Sequence, residues 1–302
     1  MQELTPETIT QAVLDQMATT PNPRLKEIMA SAVKHLHAFA KDVNLTPAEW
    51  IQGITFMTEV GKMCTPDRQE FILLSDTLGL SALVNGLHDT TALEEGTHTS
   101  LLGPFYREAS PTLAAGTQIA SNAKPSTEIV LYGYVTDVAG KPLSGATVSV
   151  WQTSASGLYD IQENPAGMDY RGVFTTDAKG LFVLRTVKPL GYSIPMDGPV
   201  GEMVRLQKRH GMRPAHIHFL VGAPGYRELV TALYLRDDPH LADDVVFGSA
   251  DDLAVDINPK DPECPLPGPS IRFDMRLSRE TAADRAGGRV GADPSAILKQ
   301  PA

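Results

Sequence analysis

The sequence predicts an α+β protein in two parts: a helical N-terminal domain over residues 1–100, then an antiparallel β-sandwich over residues 101–302 that ends in an irregular tail. Three observations predict it. Thr-Pro and Asn-Pro pairs precede apolar stripes at helical spacing in the first hundred residues. From there to about residue 280 the apolar residues run in short β-patterned stretches. Turns rich in Gly and Pro separate those stretches, with no helical pattern between them.

The helical part is punctuated at Thr5-Pro6, Asn22-Pro23, Thr46-Pro47 and Thr65-Pro66. A Thr or Asn side chain accepts hydrogen bonds from the first free N–H groups of a helix. Pro suits the first helical position because its missing N–H would have no partner there. In 46-TPAE-49, Glu49 completes a capping box. Stripes follow these signals: Ile51, Ile54, Phe56, Val60 and Met63, then Phe71, Leu74 and Leu78 with a break at Gly79.

Strands are expected at 128-EIVLYGYV-135, 146-ATVSVWQT-153, 181-LFVLRTV-187, 215-AHIHFLV-221, 229-LVTALYL-235 and 271-IRFDMRL-277. The turns between them include 139-AGKPLSG-145, 177-DAKG-180 and 222-GAPG-225.

Bulk properties narrow the function. The chain has 302 residues, 42% hydrophobic and 21% charged, an ordinary globular composition. A formal net charge of −10 repels nucleic acid and anionic membranes, so neither is an expected partner. The basic cluster 205-RLQKRHGMR-213 is the local exception. Its Lys and Arg side chains other than Arg213 are expected on a solvated loop. Two distant cysteines, Cys64 and Cys264, exclude a disulfide framework and a thiolate cluster. They fit a reducing, cytoplasmic compartment. The N-terminus MQELTPETIT lacks the basic and apolar regions of a signal peptide.

Two HxH pairs occur, His35/His37 and His216/His218. Residues two apart on a helix point about 200° apart, so His35 and His37 cannot share an ion. Residues two apart on a strand face the same side, so His216 and His218 can. A bare HxH on a strand needs further ligands. Tyr159, in 153-TSASGLYDIQ-162, and Tyr192, in 189-PLGYSIPMDGP-199, each lie just beyond a predicted strand. A phenol ionises near neutral pH only beside a strong Lewis acid such as Fe(III). Physics permits this set without selecting it from eight tyrosines.

The motifs 101-LLGPFYREASP-111, 133-GYVTDVAGKPLSGATVSVWQ-152, 157-GLYD-160, 192-YSIPMDGPVGEM-203 and 213-RPAHIHF-219 resemble the intradiol ring-cleaving dioxygenases of the catechol 1,2-dioxygenase class. The resemblance runs from about residue 5 to 280. It implies a non-haem Fe(III) held by Tyr159, Tyr192, His216 and His218. It implies that Tyr192 is a ligand and then a general base, and that Arg213 stabilises negative charge on the ring. It also implies a homodimer through the N-terminal helices, at an interface that can carry lipid.

The form of 70-EFILLSDTLGLSALV-84 and 244-DVVFGSADDLAVDI-257 is similar to hydroxyquinol 1,2-dioxygenases. That likeness places Leu73, Asp76, Gly103, Pro104, Phe105, Ile194, Pro195 and Val246 around an aromatic diol or triol, with O2 as co-substrate. Asp76 would accept a bond from a third hydroxyl. Ala232 stands where catechol enzymes carry Gln. Cleavage of catechol or chlorocatechol is the alternative within this class. A zinc hydrolase or a non-catalytic sandwich is the alternative outside it.

Overall fold

The computed structural model describes residues 4–65, 68–92, 96–124, 127–164 and 166–281. Pro66 of the last Thr-Pro signal and the tail from residue 282 lie outside the described residues. Five helices form the first part: α1 (Ile9–Gln16), α2 (Pro23–Asp42), α3 (Pro47–Met63), α4 (Glu70–Thr77) and α5 (Leu80–Ala92). The cap signals at Asn22 and Thr46 act as their chemistry requires, whereas α4 starts behind Gln69 with no side-chain cap. Asn22 Oδ1 accepts the Leu25 N–H at 3.0 Å. Thr46 N–H donates to Glu49 at 2.9 Å, and Glu49 N–H donates to Thr46 Oγ1 at 3.3 Å, closing the capping box. Thr5 N–H donates to Thr8 Oγ1 a turn ahead of α1. Gly79 takes φ +74 at the break between α4 and α5, in the left-handed region that Gly enters without steric cost.

The chain divides into two compact units, one up to Thr58 and one from Glu59 onward, with α3 crossing the boundary. In the first unit α1 and α2 bury none of their residues. Met29, Leu36, Phe39, Trp50, Ile51 and Ile54 are exposed there. His35 and His37 lie on α2, and His37 Nδ1 bonds Thr10 Oγ1 at 2.9 Å. No single helix among the described residues is long and apolar enough to cross a membrane.

The second unit carries two facing sheets. The first centres on β1 (Glu128–Asp137), flanked on one side by antiparallel β4 (Leu181–Val187). The second has the order β3-β2-β7-β8-β9, with β2 (Thr147–Gln152), β3 (Arg171–Thr175), β7 (His216–Gly222), β8 (Leu229–Leu235) and β9 (Ala254–Val255). A third pairing joins β5 (Tyr192–Ser193) to β6 (Met212–Arg213). Ile129 and Leu131 of β1 and Leu184 of β4 pack against Val148, Val150, Ile217, Phe219 and Leu233 of the other sheet in one buried core. Alternation decides the faces. With Ile217 and Phe219 in the core, His216 and His218 point to the opposite side of β7.

Three features depart from the expected pattern. The strand foreseen over 271–277 is two short strands, β10 (Ser270–Arg272) and β11 (Met275–Leu277). Both pair with β1 in parallel. β9 is also parallel to β8, so the sandwich is mixed rather than purely antiparallel. Second, helices do intervene: α6 (Asp160–Glu163) and α7 (Pro199–Leu206). Third, the basic cluster is not uniformly solvated, because Arg209 donates to the Thr77 carbonyl at 2.8 Å and to the Val245 carbonyl at 2.7 Å. Gly133 explains how β1 passes its C-terminal partners. A Cβ there would stand 1.9 Å from the Phe273 carbonyl oxygen, so only Gly fits.

Candidate active site

Three elements deliver four donor atoms to one place: the start of α6, β5 and β7. Tyr159 stands at the N-terminus of α6, where its backbone N–H donates to Gln162 Oε1 at 2.9 Å. Tyr192 begins β5 and is the cross-strand partner of Arg213 on β6. His216 and His218 project from β7. Their Nε2 atoms are 3.0 Å apart. Tyr159 Oη lies 3.3 Å from His216 Nε2, and Tyr192 Oη lies 3.4 Å from Tyr159 Oη. All four side chains are buried, Tyr159 completely.

The spacing fits a shared metal ion. Donors about 2.1 Å from one ion stand about 3.0 Å apart at a right angle and about 3.4 Å apart at a tetrahedral angle. The chemistry of the donors fits as well. His216 Nδ1 lies 2.7 Å from the Pro214 carbonyl, which can only accept, so Nδ1 holds the proton and Nε2 keeps its lone pair. Burial first, and the Arg213 charge second, hold His216 neutral far below the usual imidazole range. Burial, then His216 and Arg213, do the same for His218, while the Leu101 backbone acts the other way. Burial, then the neighbouring Tyr192, pushes the Tyr159 phenol well above its ordinary value. Without a cation that phenol stays protonated. A strong Lewis acid would ionise it.

The walls of the cluster are cross-strand neighbours. Arg171, Trp151, His218 and Ala232 face one another in register across β3, β2, β7 and β8. The Trp151 and His218 rings stack with centroids 4.9 Å apart and planes 5° from parallel. Tyr234 faces His216 across β8. Phe105 stacks on Tyr159 at 4.5 Å. A Cβ on Gly103, where φ is +73, would lie 3.5 Å from His218 Cε1.

Arg213 is buried and held on two sides. Nε and Nη2 each lie 3.2 Å from Asp244, and Nη2 lies 3.3 Å from Tyr234 Oη. Nη1 is directed at His216 Nε2 at 3.1 Å. Burial opposes the charge, but Asp244, Tyr192 and Tyr234 outweigh it and keep the guanidinium firmly protonated. Asp244 also accepts the Val246 and Gly248 N–H groups. Sequence reasoning missed Asp244, Tyr234 and Trp151. Period-two alternation from His216 and His218 could have found Tyr234 and Trp151 once the strand pairing was known.

The expected substrate wall is only partly tied to this centre by direct contacts. Gly103 and Phe105 touch it, and Val246 is fixed through Asp244. Asp76 is buried on α4 and is pushed up to about 6, first by burial, with Ser81 and Arg213 pulling it down and Asp244 raising it. Leu73 is buried one turn earlier. Ile194 is buried and Pro195 half-buried beyond Tyr192, and Pro104 is half-buried between Gly103 and Phe105. The buried Glu70 accepts the Val200 N–H at 3.3 Å and so ties α4 to α7.

A second His/Asp group, His210, His240 and Asp243, lies at the surface. It is a poorer metal site. Met212 N–H donates to His210 Nδ1 at 3.1 Å, which places the proton on Nε2, the atom facing Asp243 at 3.2 Å.

Comparison with known proteins agrees with the geometry. A family model described as "Dioxygenase" matches residues 101–279, and one described as "Catechol dioxygenase N terminus" matches 22–96. The chain is 47% identical to a 6-chlorohydroxyquinol 1,2-dioxygenase of Cupriavidus pinatubonensis, over 82% of this chain and 90% of that protein. It is 36% identical to a catechol 1,2-dioxygenase of Candida albicans, over 96% and 98%. A crystal structure of hydroxyquinol 1,2-dioxygenase from Pseudomonas putida DLL-E4 superposes with TM-score 0.80 at 41% identity, covering 91% of this chain and 99% of that one. Enzymes of this kind use non-haem iron. Two family models over most of the chain, and a relative nearly half identical, show that the chain belongs to the intradiol ring-cleavage dioxygenases.

Proposed function

We propose that the chain cleaves hydroxyquinol (1,2,4-trihydroxybenzene) between its adjacent hydroxyl-bearing carbons, adding both atoms of O2 to give 3-hydroxy-cis,cis-muconate, a tautomer of maleylacetate. The observation that carries this reading is the convergence of Tyr159, Tyr192, His216 and His218, with Arg213 aimed at the same point. The hydroxyquinol-type names of the 47% and 41% identical relatives favour the triol.

In this reading Tyr159, Tyr192, His216 and His218 hold Fe(III), which when bound supplies Lewis acidity and an electron-accepting partner for the ring. Two phenolates give the hard, anionic ligation that the ferric state favours. Tyr192 Oη, paired in register with Arg213, takes a substrate proton as general base. Arg213 Nη1 stabilises negative charge on the substrate, and Asp244 and Tyr234 keep it oriented. Asp76 accepts a hydrogen bond from the third hydroxyl. Catechol would leave that buried acceptor unpaired, at about 1–3 kcal/mol. Leu73, Gly103, Pro104, Phe105, Ile194, Pro195 and Val246 form the rest of the wall. Ala232, opposite His218, leaves a small apolar surface beside the ion.

We also infer a division into a helical part, residues 1–100, and a catalytic part, 101–302. Separate family models over 22–96 and 101–279 support it. The exposed apolar residues of α2 and α3 support a homodimer through these helices.

Two measurements test the function. The iron-loaded protein should show a broad visible tyrosinate-to-iron band, and iron-replete but colourless protein defeats the ferric reading. Oxygen uptake with hydroxyquinol, catechol, 4-chlorocatechol and protocatechuate tests the substrate. A tenfold advantage in kcat/KM for catechol over hydroxyquinol defeats the triol assignment.

A further inference from the structure

Arg209 belongs to the basic run whose composition suggests a solvated loop, yet its guanidinium is committed on both arms. Nη1 donates to the carbonyl of Thr77, the last residue of α4, at 2.8 Å. A helix C-terminus presents carbonyls without intrahelical partners, and a cation there is favourable. Nη2 donates to the carbonyl of Val245 at 2.7 Å. The guanidinium carbon also lies 5.3 Å from the centre of the Phe247 ring. That ring closes on Gly79, where a Cβ would stand 3.4 Å from it. The backbone of Arg209 is itself fixed, its N–H donating to the Val204 carbonyl near the end of α7.

Each of the two carbonyls belongs to a residue adjoining the proposed substrate wall. Thr77 adjoins Asp76, and Val245 adjoins Val246. Asp76 and Val246 come from segments about 170 residues apart in sequence. Val246 has other anchors: the Met212 carbonyl accepts the Val245 N–H, and Asp244 accepts the Val246 N–H. Arg209 adds the bridge from that strap to α4.

We propose that Arg209 is a specificity-determining positioning residue, a clasp between the Thr77 and Val245 carbonyls that sets how far Asp76 stands from Val246. This rests on the assignment of Asp76 and Val246 to the substrate wall. Arg209 touches neither substrate nor metal ligands. Its effect is on the fit of a ring that uses Asp76, and it is small for a ring that lacks the third hydroxyl.

The test compares Arg209→Met, which keeps the unbranched apolar stem but loses both N–H arms, with Arg209→Lys, which can reach one carbonyl. Steady-state kinetics on hydroxyquinol and catechol are recorded beside anaerobic hydroxyquinol binding by calorimetry and the visible band. Arg209→Met should lower kcat/KM for hydroxyquinol at least tenfold, mainly through KM, with a parallel rise in Kd. Catechol should change less than threefold and the band should not move. Arg209→Lys should fall between, and it carries the test should the Met variant fail to fold. An equal loss on both substrates, or no loss on either, overturns the proposal. Wild-type preference for catechol would instead defeat the substrate assignment, and the clasp would still stand or fall on whether Arg209→Met weakens hydroxyquinol binding more than catechol binding.

Discussion

Asp244 uses both carboxylate oxygens on Arg213 and on the backbone of its own loop, so one side chain sets where the guanidinium points. Asp244→Asn keeps the shape but loses the charge pairing. It should lower kcat roughly 10- to 100-fold with a smaller change in KM, because in the proposed mechanism Arg213 acts on charge that develops during reaction. Equal effects on kcat and KM would argue for a purely structural role. Tyr159→Phe removes a donor from the cluster. It should weaken Fe(III) retention against a chelator at least tenfold and shift or bleach the visible band. Asp76 carries a pH signature in the metal-free protein. Its carboxyl is raised from 3.8 to about 6, chiefly by burial. Between those values the folded chain holds more protons than the unfolded chain, so stability falls as pH rises through the window. The cost above pH 6 is about 3 kcal/mol. Asp76→Asn should therefore be the more stable protein at pH 7, with a flatter profile between pH 4 and 6 by denaturant unfolding.

Among the elements, the long ones were legible and the short ones were not. The contrast between His35/His37 on α2 and His216/His218 on β7 follows from helical and strand periods alone. The strands over 181–187 and 229–235 are found with the bounds their patterns imply. β5 and β6 have two residues each and α6 has four, too few for any period to show. Yet these elements carry Tyr192, Arg213 and the start of the Tyr159 turn. The two tyrosines of the proposed ligand set were therefore reached through motif resemblance, not pattern. Arg209 was misjudged for a related reason: a basic residue in a loop looks the same in sequence whether water or a carbonyl receives its N–H groups. Element β3 adds a prediction. Arg171 is fully buried, makes a two-armed ion pair with Asp160 beside Tyr159, and donates to the Phe105 carbonyl. Arg171→Met leaves the buried Asp160 carboxylate with only the longer Arg107 contact at 3.4 Å and the Asp169 N–H, and should cost about 3 kcal/mol, whereas Arg171→Met with Asp160→Leu should recover much of that loss. Chemical denaturation of both variants distinguishes a costly unpaired charge from simple loss of packing.

At the scale of the molecule, the two sheets share one core, and His216 and His218 stand on the reverse face of β7. The mixed pairing around β1 was not legible, because parallel contacts between distant segments leave no local mark. That pairing has a consequence for how the protein is made. β1 is central in its sheet, but on one side its partners are β10 and β11, which are synthesised after the other described strands. A growing chain with β1, β4 and the histidine strand already outside the ribosome still shows one bare edge of β1 to its surroundings. Such an edge is a template for pairing with other chains. The nascent protein is thus exposed to self-association from the emergence of β1 until β10 and β11 follow it, after Tyr159, Tyr192, His216 and His218 have emerged.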